Sequence, residues 1–431
     1  MLARVQNLSK FLTPEKVFII SAIVVNGGNY AYNLILGRIL GPQQFADAAI
    51  LVTLLLVVSF VAMTFQLVVA KGMAEHTDRN VSAFIKKAYR YALGFGIFVG
   101  ALVVVFSKLL KDIFNTQSQV MFIIFGLAIP FYFLMSVNRG KLQGVKSFTK
   151  LAATYQLEML SRFIITLVLL FFFNIDSSLA VSIAIAISFI AGIFPLQKKS
   201  FYIKSQLSIS NVEQKLLIRF FIITACYELT QIICNNSDIL LVKHFFPSYD
   251  AGLYASLALI GRVVYFVTWM FVMLLLPTVI AKRKEGENTV PVLIKYVTYI
   301  SILAGGIVGF TFLFPTFSVT MLFGEDYIAI APLLGWYALA TSFFAVSNVF
   351  AYYFLSLDKY MPIIIASVLG IAQIILITLF HENLYQVVIM QVIAMCALLI
   401  GQLGYFFIGN IKTEKQLNRK LTSTHRYKNA A

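Results

Sequence analysis

Cysteine, histidine and charge are all scarce in this chain. Three cysteines and four histidines among 431 residues leave little for a disulfide framework or a metal cluster, and Cys226, Cys234 and Cys396 all fall inside apolar runs. Only 12% of the residues are charged and 60% are apolar, against about 25% and roughly 45–50% in ordinary globular domains. No H-E-x-x-H, P-loop or G-x-S-x-G motif occurs, so hydrolytic and nucleotide-driven chemistry lack their residues. No cofactor is implied, and the chain does not read as an enzyme. The net charge is +16, yet the basic residues sit between long apolar runs and share no aqueous face, which argues against a nucleic-acid partner. No segment alternates with the period of a barrel strand either, and helices are then the way to satisfy a backbone in lipid.

What is present is a series of runs near the length of about 20 apolar residues that crosses a bilayer. Twelve are expected, over 17–36, 48–70, 91–107, 119–138, 151–173, 178–196, 217–242, 253–280, 292–314, 330–356, 361–380 and 386–409. The predicted class is therefore an all-α, polytopic integral membrane protein. Most of the 34 Lys and Arg fall on one side of these spans, including Lys412, Lys415, Arg419, Lys420, Arg426 and Lys428 in the tail. Arg38, Lys108, Lys111 and Lys243 lie on the other side, and Arg162 and Arg262 fall within spans. By the positive-inside rule both termini are cytoplasmic. No A-x-A-like cleavage site follows the first apolar run, which reads as an anchor.

The chain repeats itself. At a constant offset of 205 positions, Asn26 meets Gln231, Asn33 meets Asp238, Arg38 meets Lys243 and Pro42 meets Pro247. Both copies cross the membrane in the same direction, which predicts two parallel six-helix bundles. The expected domains are residues 1–196, a basic cytoplasmic connector over 197–219, and residues 220–431 ending in the basic tail.

Polar residues inside the spans are the candidate site, because ionisable groups in a membrane tend to face a bundle interior or a wet cavity. Glu228, Gln231, Asn235 and Asp238 are spaced by three, four and three, on one helix face; Asn26, Asn29 and Asn33 form a matching stripe. Amide bridging between helices is the plainer reading of the Asn and Gln residues. Glu158 and Arg162, four apart, suit an ion pair that is either structural or borders the cavity. Arg262 has no acid within a turn on its own helix and must find a partner on another helix, snorkel, or bind an anion. Arg139, at the end of the fourth span, either marks topology or contacts an anion. Glycines at 94, 96 and 100, and at 305, 306 and 309, are expected to allow close helix packing, with hinge bending as the alternative.

These stretches resemble a known family. NLILGRILGPQQFAD is similar to the first-span signature of polysaccharide (Wzx-type) flippases of the multidrug/oligosaccharidyl-lipid/polysaccharide exporter superfamily. SDILLVKHFFPSYDAGLYASLAL resembles the seventh-span signature, with Asp238, Gly252 and Tyr254 as its points. NRGKLQGVKSFTKLAATYQLE resembles the loop between spans four and five through Gln143, Gly144 and Phe148, and LSLDKYMPIIIASVLG its counterpart between spans ten and eleven. Asp47 departs from the pattern, since the family has glycine there, as this chain has at Gly252.

The resemblance implies a V-shaped transporter in the cell membrane that moves a polyprenyl-diphosphate-linked oligosaccharide from inner to outer leaflet by alternating access. It implies anion contacts at Arg262, Arg162 and Arg139, and sugar hydrogen bonds at Asn26, Asn29, Asn33, Gln231 and Asn235. Glu158, Glu228 and Asp238 are then candidates for coupling H+ or Na+. Membrane lipids and glycan-assembly proteins are the expected partners. Two alternatives are a cation-coupled multidrug antiporter of the same superfamily, whose cavity should be acidic and aromatic, and a membrane glycosyltransferase or polymerase. The second is disfavoured by short external connections, the longest over 315–329.

Overall fold

The computed structural model describes residues 13–428 apart from 76–77, 174, 196–210, 358 and several positions between 266 and 284; side chains are further left out over 74–83, 211–224, 227–228 and 409–428. The described residues are helical throughout, with short turns and no strand. The first helical run, Pro14–Glu75, is broken at Gly41, whose φ of 68° lies in the left-handed region. Glycine adopts that conformation without a Cβ clash, and Pro42 beside it cannot continue the preceding hydrogen-bond ladder. The break yields α1 (14–40) and α2 (42–75).

The chain continues with α3 (Asp78–Val105), the short α4 (Ser107–Ile113), α5 (Val120–Gly144), α6 (Phe148–Phe172) and α7 (Ser177–Ala191). Then come α8 (Asn211–Phe245), α9 (Ser248–Gly261), α10 (Val290–Leu313), α11 (Pro315–Leu322), α12 (Ala331–Ser356), α13 (Met361–Leu379) and α14 (Leu384–Lys428). A 3-10 turn over Glu325–Ile330 leads into α12. Prolines stand in the first turn of α10, α12 and α13, where a backbone N–H has no intrahelical partner to lose.

Among the described residues, eight helical runs are long and apolar enough to cross a membrane, and the first of them, Pro14–Met73, is α1 and α2 together. The remaining expected spans fall on shorter or partly described helix. The sixth stops at Ala191, leaving α7 with 15 residues. The eighth begins in α9, and much of its remainder lies outside the described residues, as does 197–210 of the expected connector. Its last part, 211–219, is the start of α8. The tail continues α14 as helix to Lys428.

Two compact units form. The first comprises Met1–Ser256 with Leu322–Tyr327; the second comprises Leu257–Met321 with Ile328–Ala431. In the first, α3 lies against α5 so closely that a Cβ on Gly100 would stand 2.5 Å from the carbonyl oxygen of Gly126. Phe65, Phe95 and Phe133 fill the adjoining layer between α2, α3 and α5, with ring centroids 5.3–5.7 Å apart. In the second, α12 is buried along most of its length. The glycines divide: Gly96 and Gly100 meet the expectation of close packing, whereas Gly94, Gly305, Gly306 and Gly309 have open space where a Cβ would go.

Gly100→Leu therefore destabilises the fold by about 1–3 kcal/mol through overpacking, while Gly305→Leu changes it by less than about 0.5 kcal/mol. Thermal unfolding of the detergent-solubilised protein measures both; equal midpoints would contradict the α3–α5 packing.

Candidate functional site

The site begins with helical spacing on α6. Thr154, Glu158 and Arg162 recur every four residues, so their side chains share a face, and all three are buried. Against that face α5 brings Arg139, itself 3% exposed. Its Nη2 donates to Glu158 Oε2 at 2.8 Å and to the Thr154 carbonyl at 3.0 Å, and its Nε donates to Thr154 Oγ1 at 3.1 Å. The guanidinium also lies 3.8 Å from the ring centroid of Tyr155, a cation–π contact.

Arg162 is held more loosely. Its Nη1 reaches Glu158 Oε1 at 3.5 Å, and its Nη2 donates to Asn29 Oδ1 on α1 in a short hydrogen bond. Tyr32, whose hydroxyl pairs with Thr166 Oγ1 at 3.0 Å, lies beside the same guanidinium. One carboxylate thus sits between two guanidiniums. Arg139 is no surface marker of topology: α5 runs on to Gly144, which places it more than a turn inside the helix, paired with an acid.

The network extends towards α2. Gln66 Nε2 donates to Gln143 Oε1 at 2.9 Å and to the Tyr155 hydroxyl at 3.1 Å. A Cβ on Gly144 would collide with that of Met73 on α2. Gln143 and Gly144, points of family resemblance in the sequence, therefore serve the α2–α5 contact.

The α8 stripe faces protein. Gln231, Asn235 and Asp238 are buried, and Asp238 accepts a 3.1 Å hydrogen bond from the Tyr254 hydroxyl on α9. Gln231 Oε1 is buried with no hydrogen-bond partner among the described residues. The Glu228 side chain lies outside the described residues. On α1, Asn33 donates back to the Asn29 carbonyl at 2.9 Å, and Asn26 is exposed. Asn29 alone of that stripe joins the arginine cluster. In the second unit, Arg262 is buried and its Nε donates to the Tyr337 hydroxyl at 3.1 Å; a Cβ on Gly261 would collide with the Tyr337 ring. Among the described residues no three His, Cys, Asp or Glu side chains gather to hold a metal.

One buried ion pair was missed in the sequence. Lys243 Nζ lies 2.8 Å from Asp47 Oδ1, with side-chain exposures of 1% and 3%. Gln117 N–H donates to Asp47 Oδ2 at 3.0 Å, and Lys243 also donates to Ser248 Oγ at 2.8 Å. His244 Nδ1 meets the Ile113 carbonyl at 2.7 Å. These contacts tie the start of α2 to the α8–α9 turn. Beside them, Phe323 and Tyr327 cover Gly37, whose carbonyl accepts the Tyr327 hydroxyl at 2.7 Å. The sequence did hold a signal: an acid at the position where the repeat has glycine, in a chain with few acids, needed a cation.

A model of the family described as "Polysaccharide biosynthesis protein" matches residues 35–332. The chain belongs to that family. No curated protein matches it. Among solved structures, an inward-facing multidrug resistance MATE family transporter of the MOP superfamily is 11% identical, with a TM-score of 0.75 over 90% of this chain and 94% of that one. The lipid II flippase MurJ in an inward closed conformation is 16% identical, with a TM-score of 0.70 over 89% and 87%. A MATE in a bent conformation is 15% identical, with a TM-score of 0.57 over 93% and 97%. The fold is thus that of these MOP superfamily structures, and this member of the polysaccharide biosynthesis family is a multi-pass membrane protein.

Because both members of the Asp47–Lys243 pair are buried, removing one leaves an uncompensated charge, at a cost of about 3–5 kcal/mol. Lys243→Met alone should destabilise the protein by that order in thermal unfolding. Lys243→Met with Asp47→Leu should recover most of the loss; failure of the double variant to recover would show that the pair is not the reason.

Proposed function

We propose that this protein is a transporter that flips a polyprenyl-diphosphate-linked oligosaccharide from the inner to the outer leaflet of the cell membrane, serving cell-surface polysaccharide biosynthesis. Alternating access is the cycle, with the bundles over 1–196 and 220–431 moving against each other and both termini in the cytoplasm. Moving a diphosphate and sugar through bare hydrocarbon costs roughly 2–7 kcal/mol for each polar group stripped of its partners. A protein that supplies guanidinium and amide groups removes that cost, while the polyprenyl tail stays in lipid.

The observation that carries this reading is the charge of the buried α1–α5–α6 cluster: two arginines share one glutamate, leaving one positive charge in excess. A diphosphate suits such a site because guanidinium forks bind phosphate oxygens in pairs. A lipophilic cation does not, which weighs against the multidrug antiporter. Arg162 and Arg262 are the proposed leading anion contacts, with Arg139 held as the inner member. Asn26, Asn29, Asn33, Gln231 and Asn235 are proposed to meet sugar hydroxyls, and Glu158, Glu228 and Asp238 remain the candidates for ion coupling.

Reconstituted protein should expose a fluorescent polyprenyl-diphosphate sugar to a quencher added outside the liposomes. Loss of a charged hydrogen bond is worth about 1.5–3 kcal/mol, so Arg162→Ala and Arg262→Ala should each slow exposure roughly 10- to 100-fold. Wild-type rates in both variants would refute the site. Export of cationic dyes with no movement of the lipid-linked sugar would refute the substrate class.

A further inference from the structure

We infer that the anion site is also a proton site: a diphosphate diester and one proton bind together, the phosphates on Arg139 and Arg162 and the proton on the Glu158 carboxylate. The inference rests on the reading that this cluster receives a diphosphate. It follows from what already occupies the guanidiniums. Side-chain exposures are 3% for Arg139, 6% for Arg162 and 11% for Glu158, so water contributes little to balancing the three charges. The carboxylate stands where an incoming phosphate would stand, bridging both arginines.

The two bridges are unequal, and that shows how exchange begins. Arg139 is fixed by Thr154 and the Tyr155 ring as well as by Glu158 at 2.8 Å. Arg162 holds the other carboxylate oxygen at only 3.5 Å and turns its second nitrogen to Asn29. An anion arriving from the α1 side takes Arg162 first and leaves the Arg139 anchor intact.

Charge then decides the fate of Glu158. Empty, the cluster carries one positive charge in excess. A diphosphate diester bears one negative charge on each phosphate. With Glu158 ionised, the loaded cluster becomes net negative, with a carboxylate beside phosphate and its guanidiniums taken. With Glu158 protonated, the loaded cluster is neutral. Uncompensated charge in a low-dielectric interior is expensive, so loading draws a proton from water onto the carboxylate, and the proton in turn strengthens anion binding by the same factor.

The groups around Glu158 make it the acceptor. Arg162 faces it from its own helix, and Arg139 and Tyr132 from α5, with the Tyr155 ring against Arg139. Asn29 and Tyr32 reach the cluster from α1 through Arg162. The backbone at Gly192, just past α7, closes the remaining side, and α7 has no titratable residue. The Tyr155 and Tyr32 hydroxyls are engaged with Gln66 and Thr166.

The test is calorimetry on the full-length protein in detergent, in buffers of differing ionisation enthalpy. The probe is neryl-diphosphate-linked N-acetylglucosamine, a diester whose phosphates do not titrate near neutrality. Wild type should take up about one proton per probe bound, and its affinity should fall about tenfold per pH unit towards alkaline pH. Glu158→Gln, which keeps the shape and abolishes the charge, should bind at least as tightly, without proton uptake and with flat pH dependence. Binding that needs Arg162 but takes up no proton overturns this inference and leaves the diphosphate reading standing. So does a Glu158→Gln variant that keeps the pH dependence. No binding by wild type overturns both.

Discussion

A charge taken out of water must be balanced by protein, and in the first unit that requirement fixes which helices touch. Arg139, Glu158 and Arg162 come from two helices separated by a tight turn, and Asn29 joins them from α1. Each would be prohibitively costly alone in hydrocarbon, so the helices have one register in which the charges meet. Thr154 adds a second constraint by receiving Arg139 on both its hydroxyl and its carbonyl. The aromatic layers and the close α3–α5 approach supply packing energy, but packing of smooth apolar faces tolerates sliding. The ionic cluster does not. The same buried charges that define the register are the ones proposed to meet the cargo, which couples the stability of the bundle to occupancy of the site.

The sequence revealed what depends on long-range averages. Apolar runs near bilayer length returned helices over nearly every expected span, because lipid leaves a backbone few other solutions. Local spacing also sufficed for Glu158 and Arg162, whose separation of four residues already implied contact. What spacing could not reveal was contact across the chain. Arg139 looked like one more basic residue at a cytoplasmic end, and its partner lies 19 positions on. Lys243 and Asp47 are separated by nearly half the chain. Asn26 shared a helical face with Asn29 and Asn33, yet only Asn29 reaches a guanidinium; helical period gives a direction, and depth along the helix decides which residue meets the partner. The break at 41–42 needed no such contact, since Gly-Pro between two apolar runs is a local signal.

Compared at the offset of 205 positions read in the sequence, the Asp47–Lys243 pair exists on one side only. Matched positions in two like-oriented copies tend to meet in reciprocal pairs, as in an isologous interface. Lys243 aligns with Arg38, and Asp47 with Gly252. The contact between Lys243 and Asp47 therefore has a mirror, Arg38 with Gly252, in which no acid is present. Accordingly Lys243 is buried, and Arg38 is exposed. Gly252 instead provides space, because a Cβ there would collide with the Pro42 carbonyl, so only glycine permits the α1–α2 turn to rest on α9. A carboxylate at both positions would have prevented that approach, and glycine at both would have left Lys243 without its counter-charge. The two turns thus divide the labour, one supplying charge and the other supplying room. The departure of Asp47 from the glycine pattern is what makes the two compatible.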